Sequence, residues 1–454
     1  MTDNPASSWE GLCDFVRQEM EKTIVPGVAL GVLYQGEVLT AGFGVTSTEN
    51  PLPVTPETLF QVGSITKTFT AMAAMRLVEL GKLALDVPLR TYLPKFKVAD
   101  KAVSAAVTLR HLLTHTAGWE GDLFLETGTG DDALAKYVAE MARLEQVAPL
   151  GEYFSYNNSG FSLAGHLIEK AARKSYARAV HDLVLEPLGL EHVYFDAADV
   201  ISQRFAVGHH ESEGKAIVAQ PWALTRSAWP AGGIVTDVGD LLRYACFHFG
   251  DGKTEDGVQV LKPETLALLH TPQVQTYGDE SIGLSWFIED RQGARLLSHG
   301  GGTNGQITRL LLAPQQAFAL AVFTNADSGG GLTDMIAKRA LKDYLGLEND
   351  DPKPIEATAA ELVKFAGLYT RPFTHIELAM LCGRLVGQMV SLGGFPTKDT
   401  PPPPPPPPMT LGLCAKDRLI VLDGAFKGTP IDVIYKKDGT VGWLRFSKRL
   451  LARR

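Results

Sequence analysis

Apolar positions recur at helical spacing over residues 9–23, and two strand-like runs, 28–34 and 37–43, then flank Gln35 and Gly36. This pattern predicts an N-terminal helix followed by a β-hairpin. Ile65, Phe69, Met72, Met75 and Leu80 predict a helix over 64–80 that is buried around much of its circumference. Mostly helical segments broken by Gly and Pro continue to about residue 250. Strand-like runs return at 295–298, 307–312 and 318–324, and a helix is predicted over 332–345. With strands at both ends and helices between, residues 1–347 read as one α+β unit whose sheet is closed by distant parts of the chain.

The polar, Pro-containing stretch 348–356 reads as a linker. Beyond it, a short helix at 359–365 precedes short runs at 376–381, 384–390, 419–422, 431–435 and 441–446. These predict a second unit over 357–454, a small antiparallel barrel or sandwich. The eight prolines Pro401 to Pro408 cannot donate to a ladder and predict an exposed polyproline II loop, either a stiff spacer or a ligand for a proline-binding partner.

Composition narrows the function classes. The chain has 454 residues, 45% of them hydrophobic, and a formal charge of -8. That is enough apolar material for at least one large core. Acids and bases are interspersed, which argues against a nucleic-acid or anionic-membrane surface and for a small-molecule partner. Asp3 and Glu10 stand where a secretory signal would be basic and then apolar, and no stretch reaches the roughly 18 apolar residues of a membrane helix. A cytoplasmic location is expected. Cys13, Cys246, Cys382 and Cys414 lie far apart, which predicts buried thiols rather than disulfides or a zinc site.

Candidate chemistry begins at Gly63-Ser64-Ile65-Thr66-Lys67. Ser64 and Lys67 are one helical turn apart, so the ammonium can reach the hydroxyl. Free N–H groups at the helix start would stabilise an oxyanion formed by that serine. Ser155-Tyr156-Asn157-Asn158 opens another predicted helix and offers a phenol and an amide two residues apart. A tyrosine beside an ammonium would have its pKa lowered and could move a proton, and Asn158 could hold a substrate carbonyl or orient the lysine. Ser298-His299-Gly300-Gly301-Gly302 ends a predicted strand with glycines that let a substrate approach the backbone, and an N–H near Gly302 is a candidate second oxyanion donor.

Ser64-x-x-Lys67, Tyr156-x-Asn158 and His299-x-Gly301, in this order, resemble the serine β-lactamase and penicillin-binding protein superfamily. Y-x-N in place of S-D-N is similar to the class C branch and its relatives, the family VIII esterases, D-aminopeptidases and alkaline D-peptidases. Leu112-Leu-Thr-His-Thr-Ala-Gly118 and Ala231-Gly-Gly-Ile-Val-Thr-Asp237 resemble further shared segments. The resemblance covers about residues 10–345. It implies an antiparallel sheet flanked by helices with a mostly helical subdomain, followed by a lipocalin-like β domain. It also implies acylation of Ser64, with Lys67 and Tyr156 handling the proton and the Ser64 and Gly302 N–H groups forming an oxyanion hole; which of the two is the base stays open. His299 departs from the lysine usual in β-lactamases, which favours neutral esters or amides over carboxylate-bearing β-lactams. D-Aminopeptidase and β-lactamase activity remain alternatives, and a homo-oligomer is compatible with the sequence.

Three other readings are weaker. His299-Gly-Gly-Gly302 resembles an α/β-hydrolase oxyanion motif, yet no G-x-S-x-G elbow follows it. His111 and His115 have metal-ligand spacing on one predicted helix but no H-E-x-x-H glutamate, so core histidines are expected, and neither metal nor cofactor. A non-catalytic scaffold would have no need for Ser64, Lys67, Tyr156 and Asn158 together. Trp119, Trp222 and Trp229 are candidates either for an apolar acyl pocket or for the core.

Overall fold

The computed structural model describes residues 5–349, 351–393, 400–402 and 404–454. Helix α1 (Pro5–Met20) leads into a hairpin of β1 (Gly27–Tyr34) and β2 (Glu37–Gly44). Helices α2 (Thr66–Glu79), α3 (Leu109–Leu113), α4 (Asn158–Ala172) and α5 (Val238–Phe247) carry most of the middle of the chain. Strands β3 (Val274–Gln275), β4 (Ser281–Ile282), β5 (Phe287–Arg291), β6 (Ala294–Thr303), β7 (Gln306–Ala313) and β8 (Phe318–Thr324) follow, and then α6 (Gly329–Leu345).

All eight strands join one sheet in the order β2-β1-β8-β7-β6-β5-β4-β3. The N-terminal hairpin therefore docks on a strand from the far end of the unit, with Val28 opposite Thr324 and Tyr34 opposite Phe318. Central strands β1 and β8 are apolar almost without interruption because both faces are covered. Val28, Leu30 and Val32 pack with Leu12 and Val16 of α1 and Ile336 and Ala340 of α6. Ala29 and Leu33 face the opposite core, which holds α2, α4 and α5. Helix α2 lies in that core and is buried on nearly every side, as its apolar spacing predicts.

A closed eight-stranded antiparallel barrel makes up the C-terminal part. Its strands are β9 (Gly367–Arg371), β10 (Thr374–Leu381), β11 (Arg384–Ser391), β12 (Met409–Ala415), β13 (Arg418–Val421), β14 (Pro430–Tyr435), β15 (Val441–Phe446) and β16 (Arg449–Arg453). Closure leaves no edge strand, and Ile376, Leu385, Leu411, Leu419, Ile431 and Leu444 fill the interior. Of the proline run, the described residues form neither helix nor strand. Pro406 O accepts from Gln388 Nε2 at 2.9 Å, which holds that proline against β11; residue 403 is outside the described residues.

Two expectations need correction. Cys13 is buried, but Cys382 is exposed in the hairpin turn between β10 and β11 and Cys246 and Cys414 are partly exposed, because a two-residue turn has no interior to offer a thiol. His111 and His115 do not share a helix: α3 ends at Leu113 and His115 takes φ +56°. No helix among the described residues is long and apolar enough to cross a membrane.

Candidate active site

Residues Gly63–Ile65 form a tight 3-10 turn that runs into α2 at Thr66. Gly63 has φ +53°, and a Cβ there would lie 2.7 Å from the Gly302 nitrogen. A Cβ at Gly301 would fall 1.9 Å from Val62 O. Only glycines let strand β6 press so closely on the turn that carries Ser64. Thr308 of β7 fixes the contact by donating to Val62 O at 2.9 Å.

One turn later, Lys67 is fully buried. Its Nζ lies 2.9 Å from Ser64 Oγ and donates to Ala231 O at 2.5 Å. The same nitrogen lies over the rings of Tyr156 and Phe161, 4.9 and 5.5 Å from their centroids. Burial, reinforced by the charge of Arg449, holds the amine well below the pKa of a free lysine.

Tyr156 precedes α4, whose N-cap is Asn157; the Asn157 side chain accepts from Gly160 N at 2.7 Å. The phenol is hydrogen-bonded to Ser64, and burial raises its pKa despite that bond and the nearby Arg449. The expected lowering by an ammonium does not occur, because the amine beside it is buried too and is itself a poor cation. Asn158 Nδ2 donates to Asp122 Oδ1 at 2.7 Å, so a carboxylate, not the lysine, holds the amide.

His299 to Gly302 lie inside β6 rather than beyond its end, paired with residues 307–310 of β7. The His299 ring is 1% exposed, with the Tyr156 and Phe287 centroids 6.2 and 5.3 Å away. Its Nδ1 donates to Gly300 O at 2.6 Å. Burial pushes the imidazole down to about 3, so it is neutral near pH 7.

Sequence reasoning missed what the barrel contributes. Arg449 of β16 lies over the Tyr156 ring, 5.0 Å from the centroid, and its Nη2 donates to Asp122 Oδ1 at 3.1 Å. Arg371 of β9 donates to Asp122 Oδ2 at 2.8 Å. Burial alone would raise the Asp122 carboxyl, but the two guanidiniums outweigh it and hold the group well below the usual carboxylate range. Lys448 pairs with Glu280 at 2.9 Å, and its backbone carbonyl accepts from Tyr156 N at 2.8 Å. No motif marks these residues, since their place depends on how the barrel docks.

Ser64, Tyr156, Asn158 and residues 299–302 line one cavity of about 1430 Å³. Loop residues Leu123 and Leu125 form part of its wall, with Trp222 and Trp229, and Phe373, Lys448 and Arg449 close it from the barrel. Trp119 is instead a core residue whose Nε1 donates to Ser159 Oγ at 3.0 Å.

The chain resembles known proteins over most of its length. The profile of the family described as Beta-lactamase matches residues 12–343. Penicillin-binding protein 4 of Amycolatopsis lactamdurans is 31% identical over 372 residues, which cover 80% of this chain and 97% of that protein. Protein flp of Staphylococcus aureus (strain MW2) is 24% identical over 69% of this chain, which spans only 62% of its length. Among solved structures, SurE with D-Leu superposes with a TM-score of 0.78 at 24% identity over 99% of this chain and 100% of its own, a likeness of fold. The octameric penicillin-binding protein homologue from Pyrococcus abyssi superposes with a TM-score of 0.68 at 26% identity over 98% of this chain and 99% of its own.

Proposed function

The chain belongs to the beta-lactamase family of serine hydrolases, and from that membership we propose that it cleaves carboxylic esters or amides through an acyl-enzyme on Ser64. The observation that carries the reading is the buried Lys67 Nζ 2.9 Å from Ser64 Oγ.

The electrostatics support Lys67 as the base. Burial favours its neutral amine, which can take the Ser64 proton as Oγ attacks the carbonyl carbon. Tyr156, whose phenol is driven up, stays protonated and can pass a proton toward the leaving group while the amine takes up the one from Ser64. Water then releases the acid from Ser64 with the proton flow reversed. The N–H groups of Ser64 and Gly302 would hold the oxyanion, each such donor being worth about 3 kcal/mol in the transition state. A neutral His299 offers no fixed charge to a substrate carboxylate, and Lys448 and Arg449 are already paired with Glu280 and Asp122. This favours a neutral acyl group.

Rates on a short-chain nitrophenyl ester, nitrocefin and a D-alanine nitroanilide, each with a Ser64→Ala control, test the proposal. Ester turnover that dominates and vanishes in Ser64→Ala is the expected result. Dominant nitrocefin or anilide turnover would replace it with a β-lactamase or D-aminopeptidase. Unlabelled Ser64 with a fluorophosphonate would leave a non-catalytic scaffold. Light scattering on the same sample reads whether the chain assembles, as the octameric homologue does.

A further inference from the structure

His115 has no assigned part in this chemistry, yet it touches the segment that carries Tyr156 at three points. Its carbonyl accepts from Ser155 N at 2.9 Å. Its Nδ1 accepts from Asn157 N at 2.9 Å. Its ring is stacked on that of Tyr156, with centroids 4.5 Å apart and planes 24° from parallel. Residues 155 and 157 are thus tied to one side chain and its own backbone, and the residue between them lies flat on the same imidazole. Phe154 and Phe161 enclose the ring from two other directions, at 5.6 and 5.1 Å.

The protonation pattern follows from the partners. A backbone N–H can only donate, so Nδ1 carries a lone pair and the ring proton sits on Nε2. Nε2 is buried with no hydrogen-bond partner among the described residues. Charging the ring would require a proton on Nδ1 and the loss of the Asn157 bond, in a fully buried site that also feels Lys67, His299 and Arg449. The backbone takes φ +56° here because His115 ends α3 in a left-handed cap, with Thr116 N donating to His111 O at 2.9 Å. A core histidine with no task beyond filling space would not need the acceptor that Nδ1 offers to Asn157 N.

We propose that His115 is a positioning residue that sets the Tyr156 hydroxyl on Ser64, clamping the backbone on both sides of Tyr156 and supporting its ring, without itself exchanging a proton. The inference rests on the role given to Tyr156 above. It explains why a histidine stands there: Phe would keep the stacked face and lose the acceptor, whereas Asn would keep an acceptor and tolerate the left-handed backbone but lose the face.

Those two substitutions, His115→Asn and His115→Phe, test it beside Tyr156→Phe and the Tyr156→Phe/His115→Asn double variant, with kcat, KM, the pH profile and Tm on the nitrophenyl ester. A displaced hydroxyl should lower kcat by about tenfold to a hundredfold in either single variant, with KM changed less than about threefold and both limbs of the pH profile unmoved. In the Tyr156→Phe background, which lacks the hydroxyl to be placed, His115→Asn should change kcat by less than about twofold. Wild-type kcat in both His115 variants, an equal loss with and without the Tyr156 hydroxyl, or a lost pH limb would each overturn the inference. A purely structural role would lower Tm and cost the same in both backgrounds. If Tyr156→Phe itself keeps full activity, the role of Tyr156 fails and the positioning role with it. If Tyr156→Phe is impaired while the His115 variants are not, only the positioning role fails.

Discussion

Arg449 of the last barrel strand lies 5.0 Å from the centre of the Tyr156 ring and anchors there through Asp122. The barrel is therefore part of the wall and of the electrostatics of the cleft. Asp122 is the hub, since it binds Arg449, Arg371 and Asn158 while 4% exposed. Arg449→Met should leave the carboxylate with one guanidinium. Breaking a buried pair from one side costs about 3–5 kcal/mol, and denaturant unfolding should show a loss of that order. The ester kcat/KM should fall by about tenfold or more as the Tyr156 loop loosens.

Lys67 fixes the sign of the pH dependence. Its pKa is lowered by burial, so if the neutral amine is the base, kcat/KM rises with pH and levels off below about 10.4, the free-lysine value. Arg449 lowers that pKa and Asp122 raises it. Removing the Arg449 charge should move the rising limb to higher pH. A limb that falls over the same range would mean that the charged lysine is the active form, and a rising limb that ignores Arg449→Met would mean that a group other than Lys67 carries it.

Glycine spacing in β6 predicts a contrast between neighbours. A Cβ on Gly301 would meet Val62 O at 1.9 Å and Thr308 Oγ1 at 2.4 Å, but one on Gly300 would meet nothing nearer than Thr308 O at 3.7 Å. Gly301→Ala should push the strand off the Ser64 turn and cost activity by about a hundredfold, a scale that a misplacement of roughly 1 Å can produce. Gly300→Ala should fold normally and keep most of its rate. Parallel ester assays and melting curves decide it.

Local patterns were legible and docked surfaces were not. The spacing of Ser64 and Lys67 survives in the structure because one helical turn fixes it, and the expected strand at 318–324 coincides with β8 because two covered faces impose one continuous apolar run. Strands β3, β4 and β5 have no counterpart in the sequence reading, since β3 and β4 have only two residues each and Gly283 and Ser285 interrupt the approach to β5. Glycines usually stop a strand, which sets the expected end of β6 before His299, whereas the ladder to β7 carries residues 299–302 past the Ser64 turn. In the barrel, β9, β12 and β16 have no matching run in the sequence reading; β9 and β16 are only five residues long, and each has an arginine at one end or both. Arg371, Lys448 and Arg449 could not be found at all, as their meaning comes from a contact between distant parts of the chain.

His299 sets the last prediction, on substrate choice. The residue is buried beside Lys67 and within reach of the Lys448 charge, so a lysine there would itself be pressed toward neutrality. It could still extend its ammonium into the cleft that His299 lines, where a substrate carboxylate would restore the charge. A charge-assisted hydrogen bond is worth about 1.5–3 kcal/mol, and part of that is lost to desolvation, which leaves a gain of about tenfold. His299→Lys should therefore raise the kcat/KM ratio of nitrocefin to a neutral ester by about that factor, while Lys67, facing a second amine, is driven lower and its rising pH limb moves toward acid. An unchanged ratio together with the shifted limb would show that the new charge stays inside the protein, and that the preference for neutral substrates comes from the shape of the cleft rather than from the missing lysine.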